Sequence, residues 1–353
     1  MIKLSIIIVN YNTFNMTCEC LRDIYASTWD FDFEVILVDN ASVECNPEKF
    51  KVAFPLISLI KSSENCGFAR GNNLGIAVAK GEYLLILNSD TVNLSKGIAS
   101  SVAYMDTHKQ EADLGGVGCR LLSPDGSTQI SAFNYRVGLT STFLANSIVS
   151  FIAAKFGFAK YRDLDYVLEM QDKEHAVQAM LGAFMLLRRD VIEKTKPLDP
   201  DFFMYYEEFE WCYRINDSGF RLMYIPYTSI THIGGGTSSS LVKAENTNKQ
   251  NYLSILLLIF KQRGYIGLFL FNLLFIINFI TNSIIVKFRS KSLQNSHKRM
   301  LSGTFYSLTK QKFLLKYFKP SFASSLFPFK LAIIEGLEHM PAVSSLGVHT
   351  EIK

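Results

Sequence analysis

Residues 82–90 read Glu-Tyr-Leu-Leu-Ile-Leu-Asn-Ser-Asp, a short apolar run that stops in a carboxylate. A run of this length and character fits a strand buried on both faces, and such strands belong to parallel sheets covered by helices. Toward the N-terminus the pattern recurs at residues 4–9 (LSIIIV), 34–38 (EVILV) and 57–60 (ISLI). Between these runs lie helix-like stretches, 14–26 and 69–80, the second expected to close on Gly81 as a C-cap. The strand–helix alternation predicts an α/β fold with a doubly wound, mostly parallel sheet and its ligand beyond the C-terminal strand ends. Asn10, Asp39 and Asp90 each follow a strand end and are expected to converge on one crevice.

Toward the C-terminus, residues 116–130 read as strand, turn and strand about Ser123-Pro124-Asp125-Gly126. Residues 137–154 carry no charge but are interrupted by Thr, Ser and Asn, which predicts a loop and amphipathic helix over the site. Residues 179–187 read as one buried strand, and the acidic cluster at 207–210 opens a helix running to about Asp217. Thr231-His232-Ile233-Gly234-Gly235-Gly236 is expected to end the compact domain.

The net charge of +4 conceals an asymmetry. Residues 246–353 hold 14 basic and 3 acidic residues, and residues 1–245 hold 22 basic and 29 acidic. This divides the chain into an acidic catalytic domain, 1–245, and a basic, apolar, helical membrane-association region, 246–353. The basic part also holds the most apolar stretch, which favours an anionic lipid surface over nucleic acid, and no nucleic-acid-binding signature is present. Residues 264–286 carry no charge and would form a helix of roughly 35 Å, enough to cross a bilayer. With the catalytic domain in the cytosol, a single crossing would put the basic stretch after Lys287 outside, so a re-entrant or interfacial helix pair with Lys261 and Arg263 snorkelling fits better. The six cysteines form no C-x-x-C pair, and residues 4–9 are too short for a signal core, so reduced thiols in the cytosol are expected.

Asn88-Ser89-Asp90 stands where a carboxylate can hold Mg²⁺ or Mn²⁺ against a diphosphate, although an Asp after a strand is also a common turn. Asp39-Asn40-Ala41-Ser42 can bind the base or ribose of a nucleotide, or simply start a helix. Residues 65–75 (NCGFARGNNLG) enter a helix with three glycines at spacing four that admit a ligand to the backbone and with Arg70 near its phosphates or base; tight helix packing explains the same residues. In the acidic cluster, Glu207 and Glu210 share a helix face while Glu208 points elsewhere. Acids are also generic in a first helical turn. The functional reading makes Glu208 the general base for an acceptor hydroxyl, ionised at neutral pH without special tuning. His232 can complete the metal shell, contact the diphosphate or be purely structural, and residues 182–185 shape an acceptor wall or are plain core strand.

The ordered set IIIVNYN, LVDNAS, NCGFARGNNLG, LLILNSD, GAFMLLRRD, FFMYYEEFEWCYR and HIGGGTS resembles the family 2 glycosyltransferases of the GT-A fold, nearest to the rhamnosyltransferase-like branch of bacterial surface-polysaccharide synthesis. The likeness covers residues 1 to about 240. It implies that Asn10, Asp39, Asn65, Gly67, Arg70 and Asn88 line the nucleotide site, and that Asp90 holds the metal. It further implies inversion at the sugar carbon, with the base in the acidic cluster. The implied partners are a nucleotide-diphosphate sugar, dTDP- or UDP-linked, and a lipid-linked glycan at the cytoplasmic membrane face. Two departures stand out. The usual Asp-x-Asp reads Asn88-Ser89-Asp90, and Glu208 holds the place of an Asp, which leaves open which of Glu207, Glu208 and Glu210 is the base. The Gln-x-x-Arg-Trp motif of processive synthases is missing, which favours single additions. Two rivals remain at this level: a sugar nucleotidyltransferase, which would carry a basic Gly-rich loop after its first strand, and a non-catalytic nucleotide-sugar-binding scaffold.

Overall fold

The computed structural model describes residues 2–144, 164–234 and 241–287. Strands β1 (Leu4–Asn10), β2 (Phe33–Asp39), β3 (Ser58–Lys61) and β4 (Tyr83–Asn88) are parallel and lie in the order β3-β2-β1-β4. Helices α1 (Phe14–Ala26), α2 (Glu48–Ala53) and α3 (Gly67–Val78) connect them. Alternate strand residues (Leu4, Ile6, Ile8, Val35, Leu37, Leu85 and Leu87) join Leu21 and Ile24 of α1 and Phe50 of α2 in one buried cluster. Each such side chain contributes about 1.5–3 kcal/mol on burial, so the register that aligns these strand ends is strongly specified.

Gly81 is not the C-cap of α3. Ala79 takes that place in extended conformation, and the glycine is required for another reason. A Cβ at Gly81 would lie 2.4 Å from the Ser5 nitrogen, and the Gly81 N–H donates to Ser5 Oγ at 2.7 Å. Close approach to β1, rather than helix termination, selects it.

The sheet continues through β11 (Phe184–Arg188), antiparallel to β4, and then β6 (Leu114–Leu122), β12 (Arg221–His232) and β5 (Thr91–Val92), giving ten strands in all with two short side strands. Those side strands are β7 (Thr128–Gln129), which folds back on β6 through the expected turn, and β9 (His175–Val177), which pairs with β12. Residues 179–187 are two strands rather than one. β10 (Ala179–Met180) pairs with β8 (Ala132–Phe133) in a separate ribbon, and β11 enters the main sheet. The change occurs within three residues: Leu181 N–H donates to Ser131 O, and Ala183 O accepts from Asn88 N–H.

Helices α4 (Leu94–Thr107), α5 (Leu139–Leu144), α6 (Leu164–Met170), α7 (Arg189–Thr195) and α8 (Glu207–Asp217) flank these strands. Helix α5 realises part of the helix expected at 137–154; residues 145–154, Gly235, Gly236 and the basic stretch beyond Lys287 lie outside the described residues. The last described element, α9 (Leu241–Lys287), is broken at Gly264 (φ 62°) into two arms. Leu256, Leu257, Leu258 and Ile259 of the first arm are buried. Lys261 does not snorkel away from the domain: its ammonium pairs with Asp199 at 2.6 Å and Asp201 at 2.8 Å. The second arm buries Leu268 and Phe271 and donates from Asn278 Nδ2 to Thr142 O at 2.5 Å. Its other side exposes Ile266, Phe269, Leu270, Leu273, Ile277 and Ile280 at helical spacing. Residues Gln250–Asn278 are long and apolar enough to cross a membrane, by length and composition.

Candidate active site

The parallel register puts Asn10, Asp39 and Asn88 side by side at the C-terminal ends of β1, β2 and β4. The side chains of Asn10 and Asp39 are then tied together. Asn10 Nδ2 donates to Asp39 Oδ1 at 2.8 Å and to Ser42 Oγ at 2.9 Å, and Ser42 N–H donates to Asp39 Oδ2 at 3.1 Å. Thr13 and Thr17 donate to Asn10 Oδ1, and Thr13 Oγ1 lies 3.3 Å from Ser89 Oγ, so this network reaches the strand end that carries Asp90. Asn10, Asp39 and Asn40 are buried, and buried polar groups satisfied in this way form a rigid floor.

Asn40 organises the entrance to α3. Its Nδ2 donates to Asn65 Oδ1 at 3.0 Å and Gly67 O at 3.1 Å, while Cys66 N–H donates back to Asn40 Oδ1 at 3.1 Å. Gly67 has φ +84°, and a Cβ there would lie 2.1 Å from Phe203 O, so backbone conformation and space both demand glycine. Arg70 is exposed, and its Nε donates to Pro200 O at 2.7 Å, which fastens α3 to the segment before α8.

On the other side, the pairing of His232 with Thr91 brings β12 against the Asn88–Asp90 turn. His232 Nε2 lies 3.3 Å from Asp90 Oδ1 and 3.3 Å from Asn88 Nδ2. Gln129, a residue that sequence reading did not single out, decides which imidazole nitrogen carries the proton. Its Nε2 donates to His232 O at 2.8 Å and Ser123 Oγ at 3.2 Å, so its Oε1 faces His232 Nδ1 at 2.8 Å and that nitrogen must be the donor. Nε2 is therefore the ring nitrogen left to face the Asp90 carboxylate. Among the described residues no group of three or more His, Cys, Asp or Glu gathers as a metal site. Asp90 and His232 do supply one oxygen and one nitrogen donor facing each other, a pair of the kind a divalent cation accepts.

Helix α8 begins after Tyr205 (φ 71°) and Tyr206 (φ 67°), two successive left-handed residues that re-aim the chain into its first turn. Glu207 is buried, and its Oε2 and the Oε2 of Glu208 are shielded from solvent without a hydrogen-bond partner among the described residues. The expectation of an untuned base is corrected here. Burial raises Glu208 to about 7, although the amides of Glu208, Gly182 and Tyr206 oppose the shift. Burial and the adjacent Glu208 charge also raise Glu207. Glu210 is differently employed: Arg214 grips it with Nε at 3.0 Å and Nη2 at 2.7 Å and also donates to Lys196 O and Pro197 O. Gly182 links the two sides of the site. A Cβ there would meet Glu208 Cβ at 3.7 Å, and its neighbour Ala183 accepts the Asn88 N–H at 3.1 Å. A cavity of about 630 Å³ lined by Tyr83, Arg188 and Arg189 lies at the opposite end of β4, away from these residues.

Known proteins place this geometry in a family. The low-salt glycan biosynthesis hexosyltransferase Agl10 of Haloferax volcanii is 27% identical over 223 residues, covering 60% of this chain and 61% of its own. The N-acetylglucosaminyl-diphospho-decaprenol L-rhamnosyltransferase of Mycobacterium tuberculosis is 23% identical over 209 residues, covering 56% of this chain and 66% of its own. Glycosyltransferase GlyG of Streptococcus pneumoniae is 30% identical over 114 residues, which span 31% of this chain and 37% of that protein. The chain thus spans between about a third and two thirds of the length of these curated relatives. The fold is that of a mannosyltransferase from Pyrobaculum calidifontis, solved with GDP-Man and Mn²⁺, at a TM-score of 0.55, 15% identity and coverage of 87% of this chain and 86% of that one. It is a GT-A fold, as the strand order indicates. The description Glycosyl transferase family 2 matches residues 5–195, more than half of the chain and every element from β1 to α7. With the Asn10–Asp39 floor, the Asn88–Asp90 turn and the Gly67 helix entrance all inside that span, the chain belongs to glycosyl transferase family 2.

Proposed function

We propose that the protein is an inverting glycosyltransferase. It moves a sugar, rhamnose or another deoxyhexose, from a dTDP- or UDP-linked donor to a hydroxyl of a lipid-linked oligosaccharide in surface-polysaccharide synthesis. One observation carries this reading: a shielded Glu208 carboxylate and the Asn88–Asp90 turn stand on either side of the Gly182–Ala183 link.

In this mechanism Asn10, Asp39, Asn40, Ser42, Asn65 and Gly67 line the nucleotide site. Asp90 and His232, beside Asn88, would hold Mg²⁺ or Mn²⁺. When bound, the ion neutralises the charge that grows on the leaving diphosphate. Glu208 accepts the proton of the acceptor hydroxyl as that oxygen bonds to the anomeric carbon and the bond from that carbon to the diphosphate oxygen breaks. A single displacement inverts the carbon. Its elevated affinity for protons, set by burial, suits Glu208 to this role near neutral pH. The exposed apolar stripe of the second arm of α9, in a chain region with 14 basic and 3 acidic residues, supports attachment at the cytoplasmic membrane surface, where lipid-linked acceptors lie.

The test is a thermal-shift panel of UDP, dTDP, GDP, CDP and ADP on the detergent-solubilised protein, with and without Mn²⁺. A ligand at 100 times its Kd adds about 2.7 kcal/mol to the folded state. A Mn²⁺-dependent shift with one diphosphate is expected; no shift with any of them would sink the donor site. Release of nucleoside diphosphate rather than pyrophosphate would then exclude nucleotidyl transfer.

A further inference from the structure

Residues 196–206, which lead from α7 into α8, are held from two directions. From α3, Phe68 N–H donates to Phe203 O at 2.7 Å, Arg70 Nε to Pro200 O at 2.7 Å, and Asn73 Nδ2 to Leu198 O at 2.7 Å. From the first arm of α9, Ser254 Oγ donates to Met204 O at 2.7 Å and Gln250 Nε2 to the same oxygen at 3.4 Å. Lys261 bridges Asp199 and Asp201. These three charged side chains are 24%, 19% and 27% exposed, shielded enough that their attraction is not screened as on an open surface. The residue that follows Met204 is Tyr205, the first of the two left-handed tyrosines. That turn is unfavourable in isolation and persists only if its flanks are fixed.

We propose that Lys261 and Ser254 are positioning residues for the base. Through Asp199, Asp201 and the Met204 carbonyl they lock the Tyr205–Tyr206 turn and so fix the direction in which Glu208 leaves α8. The role rests on the reading of Glu208 as base given above. It gives the first arm of α9 a part in catalysis beyond attachment. Lys261 is suited to it because one ammonium satisfies two carboxylates only two residues apart, so its loss both frees the segment and leaves like charges together. The α3 contacts hold Leu198, Pro200 and Phe203; Lys261 holds the same stretch at Asp199 and Asp201, and Ser254 and Gln250 hold the end nearest the turn at Met204.

The experiment uses the full chain in detergent. Trp211 lies three residues after Glu208 and donates its indole N–H to Lys196 O at 2.9 Å, so it senses both α8 and the clamped segment. In a Trp29→Phe background it is the sole tryptophan. Its fluorescence is titrated with pH, and nucleoside diphosphate release is measured with UDP-, dTDP- and GDP-sugars. The ionisable groups that sense Glu208 are Glu207, Tyr206 and Cys212, and Gly182, packed against it, does not titrate. Lys261→Ala is expected to lower kcat at least tenfold with donor KM within about threefold. It should also move the Trp211 titration midpoint down, as solvent reaches Glu208. Lys261→Arg should restore both. A folded Lys261→Ala protein with wild-type kcat and an unmoved midpoint overturns the proposal. Should Lys261→Ala fail to fold, Ser254→Ala and Asp201→Asn are read by the same two measurements, and wild-type values in both overturn it equally. No nucleoside diphosphate release by the wild-type protein from any donor overturns the base reading, and the positioning role with it. Wild-type turnover with an unaffected Lys261→Ala overturns the positioning role alone.

Discussion

Gln129 Oε1 accepts the Nδ1 proton of His232 at 2.8 Å, and this bond leaves Nε2 as the nitrogen that faces Asp90. Orientation of a ligating imidazole by an outer partner is worth roughly 10–100-fold in metal affinity. Gln129→Leu is therefore expected to weaken Mn²⁺ binding by about that factor. Isothermal titration with Mn²⁺ and the bound nucleoside diphosphate checks this. Unchanged affinity would mean that His232 is not a ligand.

Asn88 occupies the first acidic position of the common Asp-x-Asp pattern. Asn88→Asp adds a carboxylate beside His232 Nε2, which Asn88 Nδ2 now approaches at 3.3 Å. We expect tighter Mn²⁺ binding and a lower Mn²⁺ concentration for half-maximal rate. A weaker metal dependence after this change would place the ion elsewhere.

Glu208→Gln should lower transfer by about 10²–10⁴-fold, the range for loss of a general base, while the thermal shift with donor nucleotide persists. In the unaltered protein the base must be ionised to act. With Glu208 raised to about 7, log(kcat/KM) should rise by one per pH unit below that value and level off above it. Stability runs the opposite way. The folded protein keeps the protons of Glu207 and Glu208 above their ordinary value of 4.5, whereas the unfolded chain releases them there. Their contribution to stability is therefore full below about 4.5 and declines as pH rises through about 7. Melting temperature measured against pH should fall across that window, and Glu208→Gln should flatten the decline.

Gly67 and Gly126 share φ +84° but differ in surroundings: Phe203 O crowds the first, and nothing lies within 4 Å of the second. Gly67→Ala is expected to cost more than about 2 kcal/mol, from conformation and collision together. Gly126→Ala pays conformation alone, about 1 kcal/mol. Chemical denaturation of both variants separates the two terms, and donor binding should suffer only in the first.

The parallel half of the fold was legible because buried strands are apolar throughout and their ends are polar. Residues 14–26 were assigned with the bounds that α1 takes, and Asp217 was placed as the end of α8. The convergence of Asn10 with Asp39 followed from strand parallelism alone. What escaped was set by long-range pairing. Nothing local marks Leu181–Ala183 as the point where one apolar run leaves the β8–β10 ribbon for the main sheet. Gly81 looked like a cap because a glycine after a helix usually is one; its closeness to Ser5 exists only once β1 and β4 are side by side. The tuning of Glu208 was likewise invisible, since burial of a helix's first turn depends on what is packed over it. Gln129 sat in a hairpin with no motif around it, and its partner is 103 residues away.

The bridge from Lys261 to Asp199 and Asp201 also bears on where this protein can be cut. The acidic composition ends near residue 245, yet the last charge seen to fasten the preceding domain among the described residues is sixteen residues further on, and the break at Gly264 follows it closely. A chain ended at residue 245 would take the Lys261 ammonium from Asp199 and Asp201 and the Ser254 hydroxyl from the Met204 carbonyl, and is expected to be inactive even if soluble. One ended just after Arg263 keeps those partners and sheds the exposed Ile266–Ile280 stripe, at the cost of uncovering Thr142 of α5. The working enzyme is then the longer piece, and the greasy arm is the detachable part.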